Sequence, residues 1–167
     1  EPNTRKANIY AAQVEKYGHN YIAEKRTQFY FLHATSGRKG KKYAEVLKES
    51  IANIEQLNGT SLTCLVYKSS LEVLYYLNIA DYKSVIKSSE SILNEFGIRK
   101  GAYSAHYQFF LTKLGIAQMA IGQYDESYDN FRKVEKYVPP QSFNDYLLRL
   151  YQTINALHSG NYQLAYN

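Results

Sequence analysis

Residues 111–139 read LTKLGIAQMAIGQYDESYDNFRKVEKYVP and carry the clearest helical pattern of the chain. A Leu-x-x-Leu-Gly segment ends at Gly115, and a short turn follows at Gly122. Beyond the turn, large side chains recur at the steps of three and four that place residues on one helix face: Tyr128, Phe131, Val134 and Val138. Proline cannot continue a helix, so the segment ends by Pro139. The stretch therefore predicts two antiparallel helices joined by a tight turn.

Residues that end helices recur along the whole chain. Each of four breaks follows a helical-looking segment, at intervals of 41, 38 and 42 residues: Gly18, Gly59, Gly97 and Pro139-Pro140. Tyrosines that each follow a short turn form a second series, at intervals of 39, 42 and 38 residues: Tyr43, Tyr82, Tyr124 and Tyr162. A glycine just past a helix end closes it in the left-handed conformation. Two interleaved series with the same drifting period predict a repeat of helix pairs.

The spacing predicts an all-α chain of about nine helices. Their expected bounds are near 4–17, 20–36, 42–57, 61–79, 82–96, 102–121, 124–137, 143–159 and 161 onward. Ser142 begins one of them, with an acid three residues later as in a capping box. The turns are short, so neighbouring helices should pack antiparallel. We expect one domain over 1–167, with repeats roughly at 20–59, 60–97, 101–139 and 141–167, cut from a longer protein.

The third repeat resembles the tetratricopeptide repeat, in which a large residue, Leu-Gly, a small residue, Phe and Pro recur at fixed offsets. The residues that carry the resemblance are Leu111, Leu114, Gly115, Tyr124, Ser127, Phe131 and Pro139. Leu111 stands where tryptophan is usual, Gln118 where tyrosine is usual and Ser127 where alanine is usual. The resemblance implies a right-handed α-solenoid in which helices approach closely at Gly115 and Ser127, while Phe131 fills the wedge before the next repeat. A generic α-solenoid of helix pairs is the alternative.

The resemblance also implies a concave groove lined by the first helix of each pair. Transferring the third repeat's register gives three sets of groove residues: Phe109, Thr112, Lys113, Ile116 and Met119; Tyr67, Ser70, Leu71, Leu74 and Asn78; and Leu147, Leu150, Tyr151, Ile154 and His158. This mixture of apolar, aromatic and polar side chains suits an extended peptide or a partner helix. The lysine and asparagine pattern that clamps a C-terminal carboxylate in chaperone-binding members of the family is absent.

The predicted function is a protein- or peptide-binding scaffold. Similar long repeats occur in bacterial regulators and sensor proteins, which implies a sensing or dimerising part joined to other domains. A self-assembly module, in which terminal helices pair between copies as a homodimer, is the alternative. A nucleic-acid-binding solenoid is a third hypothesis, because residues 38–42 form a dense basic run and the net charge is +5. A solvated turn between two helices explains that run better.

No catalytic or cofactor signature is present in the sequence. None of the four histidines (His19, His33, His106 and His158) has metal-ligand spacing to another, and His33 and His106 sit among aromatics as expected for packed side chains. Cys64 lies on an apolar helix face and is predicted to be a core residue. A single cysteine leaves the compartment open, with the cytoplasm favoured. No run of about 18 apolar residues predicts a membrane span.

Overall fold

The chain is helical throughout most of the residues that a computed structural model describes, which are 2–36, 42–99 and 104–166, with side chains at 18, 20–36, 42–95 and 105–165. No strand occurs among them, so the predicted all-α class is confirmed. The helices are α1 (Pro2–Ser36), α2 (Tyr43–Glu55), α3 (Leu62–Asn78), α4 (Tyr82–Arg99), α5 (Ser104–Ala120), α6 (Tyr124–Glu135), α7 (Phe143–His158) and α8 (Tyr162–Tyr166).

One predicted break is wrong, because α1 runs without interruption through Gly18. The described part of the chain therefore has eight helices where nine were expected. Glycine inside a helix costs only about 1 kcal/mol relative to alanine, so it does not by itself end one. Nothing lies within 4 Å of where a Cβ of Gly18 would stand, so no close contact requires glycine there either.

Gly97 and Gly59 were also predicted to end helices, but neither adopts the left-handed conformation that ends one. Gly97 lies inside α4, which continues to Arg99. After α2 the left-handed residue is Asn58, with φ of 50°. A Cβ on Gly59 would stand 2.5 Å from the sulfur of Cys64 and 3.2 Å from the Cβ of Ala23. Gly59 is thus required by close packing and not by the turn.

The tyrosine series marks helix starts as expected. Each of its four members is the first residue of a helix, in α2, α4, α6 and α8: Tyr43, Tyr82, Tyr124 and Tyr162. The turns before the last three contain a residue with positive φ, namely Ala80 at 58°, Gly122 at 85° and Gly160 at 76°. In each turn one N–H bonds three residues back and the next bonds five residues back, which is the Schellman pattern. The same backbone turn therefore precedes α4, α6 and α8.

The start of α7 confirms the predicted cap. Ser142 accepts a hydrogen bond from the backbone N–H of Asp145 over 3.2 Å. The carboxylate of Asp145 in turn accepts from the N–H of Gln141 over 2.8 Å. These bonds satisfy N–H groups at the helix start. The bond from Gln141 also holds the pKa of Asp145 below its usual range, with a smaller effect from Arg149.

Residues 1–72 and 73–167 form two compact units. In the N-terminal unit α1 packs on α2, and Thr27 donates a hydrogen bond of 3.7 Å to Cys64 Sγ. Cys64 is 2% exposed, so its predicted place in the core is confirmed. In the C-terminal unit each of α4 to α7 packs on the next helix along the chain. This consecutive packing fits a helical repeat. The single array over 1–167, and its repeat bounds, stay predictions.

Candidate functional site

In the C-terminal unit, α5 and α6 approach each other closely at Gly115 of α5. A Cβ added to Gly115 would stand 2.7 Å from the Phe131 ring, closer than real contacts allow. Ser127 is fully buried and donates a hydrogen bond of 2.8 Å to the carbonyl of Gly115. The close approach expected at Gly115 and Ser127 is therefore present, and Phe131 fills the space that Gly115 leaves.

Phe131 also reaches the next helix pair. Its ring stacks on Tyr151 of α7, with centroids 5.8 Å apart and an angle of 13° between the planes. It belongs to a buried cluster that joins α5, α6 and α7: Leu111, Phe131, Val134 and Leu148. Leu114 is buried at 4% exposure. Phe131 thus contacts α7 as well as α5, which is the position that the resemblance implied for it.

Buried amides supplement this apolar cluster, and the sequence analysis missed their role. Asn130 of α6 donates a hydrogen bond of 2.8 Å to Gln118 of α5. Asn155 of α7 donates one of 2.9 Å to the carbonyl of Tyr124, at the start of α6. Buried polar groups destabilise a fold unless they are hydrogen-bonded, so these pairs favour one register of the helices. The sequence did contain a sign of this pair, because the polar Gln118 stands where the tetratricopeptide repeat usually has tyrosine.

An open cleft of about 310 Å³ lies between α5, the end of α6 and α7. Five of the predicted groove residues line it: Phe109, Thr112, Lys113, Leu147 and Tyr151. The other lining residues are Ala105, Gln108, Val134, Val138, Asn144 and Leu148. The structure thus brings together predicted side chains from two successive first helices, α5 and α7.

The cleft is apolar with a cationic edge. The Lys113 ammonium lies 5.6 Å from the centre of the Phe109 ring, within the range of a cation–π contact. Lys113 is the charged residue among the described residues of the lining, and the remaining polar groups there are amides, a tyrosine and a threonine hydroxyl. An apolar side chain with a neighbouring acidic or hydrogen-bonding group would suit such a surface.

Other predicted groove residues of α5 and α7 lie outside this cleft. His158 is exposed and stacks on Tyr124, with centroids 6.2 Å apart. Met119 is half-buried, and Leu150 is 52% exposed on another side of α7. The turns at Gly122 and Gly160 are 38 residues apart, so the counterpart of Met119 is Leu157. The groove prediction was therefore one residue too far along α7 when it chose His158 as the counterpart of Met119.

The groove residues predicted on α3 have mixed positions. Tyr67 is half-buried, and its ring lies 4.8 Å from that of Phe31. Ser70 and Leu71 are only 2% and 0% exposed, so they are core residues and their placement in a groove is wrong. Ser70 donates a hydrogen bond of 2.8 Å to the Val66 carbonyl of its own helix. Asn78, at the end of α3, is exposed.

The remaining candidates from the sequence are the histidines and the basic run 38–42. His33 is exposed and stacks on Phe29 at 6.1 Å, so it packs against an aromatic ring as predicted without being buried. His106 is half-buried, and this burial lowers its pKa. Among the described residues, no group of three histidine, cysteine or acidic side chains stands close enough to hold a metal ion. Of the basic run 38–42, Lys42 is an exposed turn residue and the rest lies outside the described residues. In the described part, no helix is long and apolar enough to cross a membrane.

Comparisons with known proteins return no relatives for this chain. No protein-family model matches it, no curated protein matches its sequence, and no solved structure matches its fold. The tetratricopeptide resemblance therefore rests on the residues of the third repeat alone.

Proposed function

We propose that this chain is a helical-repeat scaffold that binds a segment of another protein. The observation that carries the proposal is the cleft between α5 and α7, lined by Phe109, Lys113, Leu147 and Tyr151. Two pairs of the lining residues, Phe109 with Leu147 and Lys113 with Tyr151, lie 38 residues apart and so correspond in the third and fourth predicted repeats. Surfaces formed between successive helix pairs are where helical solenoids take up extended partners.

The cleft's size and chemistry support a short segment with an apolar anchor. Ligand pockets span roughly 300–1,000 Å³, and this one is near the lower end at about 310 Å³. It can take one or two side chains and leave the rest of a peptide on the surface.

The finer proposals concern the family and the setting. A right-handed, tetratricopeptide-like solenoid is supported by the seam of Gly115, Ser127 and Phe131. As the setting of this scaffold we propose a sensing or dimerising role in a bacterial regulatory protein, without catalysis. It would be tested by finding which domains the full-length protein contains.

Binding in the cleft can be tested with a blocking substitution. Ala105 is an exposed residue of the lining, so Ala105→Arg would fill the cleft without removing any core contact. Peptides selected from a random display library on the purified chain should bind Ala105→Arg at least about tenfold more weakly, measured by fluorescence anisotropy.

Ala120→Arg is the matched control, because Ala120 is exposed on the same helix and is not part of the lining. It should bind the selected peptides like the unaltered chain. Equal binding by Ala105→Arg and Ala120→Arg would place the peptides elsewhere and overturn the proposed site. Failure to select any peptide that binds saturably would count against the scaffold function itself.

A further inference from the structure

A second cleft, of about 450 Å³, lies on the other side of α5, between α4 and α6. Four residues of α5 line it: Tyr107, Leu111, Leu114 and Gln118. The cleft toward α7 is lined by a different set from the same helix: Ala105, Gln108, Phe109, Thr112 and Lys113. At about 100° per residue these two sets lie on opposite faces of α5. The helix thus separates two clefts that share no described lining residue.

The second cleft is acidic, and we call it the acidic cleft. Three carboxylates from α4 and α6 line it against one ammonium: Glu90, Glu126, Asp129 and Lys133. The three carboxylates form no hydrogen bond or ion pair within the part of the chain that the structure describes. The whole chain carries a net charge of +5, so the acidic character is local and does not follow from composition. A cationic group is the electrostatic complement of this surface.

Two buried amides also line the acidic cleft, and one of them has a free donor. Lys133 donates a hydrogen bond of 3.2 Å to Asn130, which in turn donates one of 2.8 Å to Gln118 Oε1. Gln118 and Asn130 are only 5% and 6% exposed. The Nε2 group of Gln118 donates to none of the described residues. A buried donor without a partner is costly, so an occupant of the cleft should supply an acceptor such as a carbonyl oxygen.

We propose that the acidic cleft binds an arginine side chain from an extended basic segment of a partner protein. The guanidinium donates to the carboxylates of Glu126 and Asp129, which lie three residues apart on one face of α6. Its aliphatic stem packs on leucines that line the cleft: Leu93, Leu111 and Leu114. A backbone carbonyl of the segment accepts from Gln118 Nε2.

A peptide segment fits the acidic cleft better than a metal ion or a simple amine. Among the described residues, no group of three histidine, cysteine or acidic side chains is close enough to hold a metal. A simple amine has no acceptor for the Gln118 amide, whereas a peptide offers a carbonyl at every residue. The planar guanidinium also packs on aromatic rings such as that of Tyr107, which suits arginine better than lysine. This inference does not rest on the peptide cleft between α5 and α7.

Nuclear magnetic resonance of the ¹⁵N-labelled chain can test the inference with a blocked tripeptide, N-acetyl-glycyl-arginyl-glycinamide. At low salt the tripeptide should shift the side-chain amide signal of Gln118 saturably, because the carbonyl binds there. The double substitution Glu126→Gln with Asp129→Asn should raise its dissociation constant about three- to thirtyfold, since two carboxylates lose their charge. Both residues are exposed, so circular dichroism should show unchanged helix content.

The matched control is Asp125→Asn with Glu135→Gln. It removes the same two charges from exposed residues of α6 that do not line the acidic cleft. This control should bind the tripeptide like the unaltered chain. Equal weakening in the two double variants would mean attraction by overall charge and would overturn the site. Ala105→Arg, which fills the other cleft, should leave tripeptide binding unchanged, so this inference and the proposed function can fail separately.

Two altered ligands separate the contacts of the guanidinium from those of the carbonyl. The tripeptide with citrulline in place of arginine keeps the shape without the charge and should not bind saturably. Propylguanidinium keeps the charge without a carbonyl, so it should bind more weakly and leave the Gln118 side-chain signal in place. Binding of the citrulline tripeptide as tight as that of the arginine tripeptide would overturn the inference. A Gln118 signal that the arginine tripeptide does not shift would do so as well.

Discussion

The turns that follow α3 and α5 have the same backbone hydrogen bonds and different residues at the critical position. In one turn Ala80 N–H bonds to the Leu77 carbonyl at 3.2 Å, and Gly122 N–H bonds to the Met119 carbonyl at 3.2 Å in the other. The following N–H groups bond five residues back at 2.9 Å in both turns. Ala80 nevertheless adopts φ of 58°, a conformation that alanine disfavours. The comparison shows that this turn also forms with a residue other than glycine at the left-handed position.

The buried side chains that flank these two turns differ as well. Gly115, Ser127 and Phe131 have counterparts 42 residues earlier in Val73, Val85 and Ser89, and all six are buried. Where the third repeat has a glycine on its first helix and a phenylalanine on its second, the second repeat has a valine and a serine. Dense packing requires a fixed total volume more than a fixed residue. The second predicted repeat therefore lacks the glycine and the phenylalanine of the tetratricopeptide pattern at these two positions.

The largest effect is expected from Phe131→Ala. Phe131 is fully buried against Gly115 and Tyr151, so the substitution leaves a cavity joining three helices. We expect a loss of about 3–5 kcal/mol in the free energy of unfolding, measured by urea denaturation with circular dichroism. Phe29→Ala, which removes a phenylalanine that is 63% exposed, is the control and should cost less than about 1 kcal/mol. Similar losses of stability in the two variants would show that Phe131 does not stabilise the fold more than an exposed phenylalanine does.

Exchanging alanine and glycine at the left-handed positions of the two turns should change the stability in opposite directions. Ala80→Gly relieves a left-handed alanine and should stabilise the chain by about 1 kcal/mol. Gly122→Ala introduces the same strain at φ of 85° and should destabilise it by at least about 1 kcal/mol. Thermal denaturation followed by circular dichroism can measure both changes. A destabilised Ala80→Gly would mean that the alanine methyl group packs in a way that outweighs its strain.

The smallest expected effect is the difference in stability between alanine substitutions at two buried serines. Ser127 donates a hydrogen bond to the Gly115 carbonyl, so Ser127→Ala should cost about 0.5–1.5 kcal/mol. The buried Ser89 hydroxyl has no hydrogen-bond partner among the described residues, so Ser89→Ala should be neutral or slightly stabilising. The same denaturation measurements apply. If both variants lost equal stability, the hydrogen bond would not be what distinguishes the second and third repeats.

Much of the helix pattern could be predicted because turns depend on local residues. The tyrosines at 43, 82, 124 and 162 start helices, as expected, and the turns before Tyr124 and Tyr162 contain Gly122 and Gly160 with positive φ. The break at Gly18 was wrong because glycine permits a turn without requiring one. Ser70 and Leu71 were misplaced because a repeat register says which residues correspond, and not how far neighbouring helices cover them.

The resemblance to the tetratricopeptide repeat implied the seam of Gly115, Ser127 and Phe131, and the sequence by itself determined the all-α class and most of the helix starts. These depend on interactions between residues near in the chain, such as caps, turn conformations and helical spacing. Only the tertiary structure decided which side chains line the cleft, which amides are buried together and which residues are buried. Those features depend on contacts between helices, whose distances and crossing angles arise from the packing of all their side chains at once.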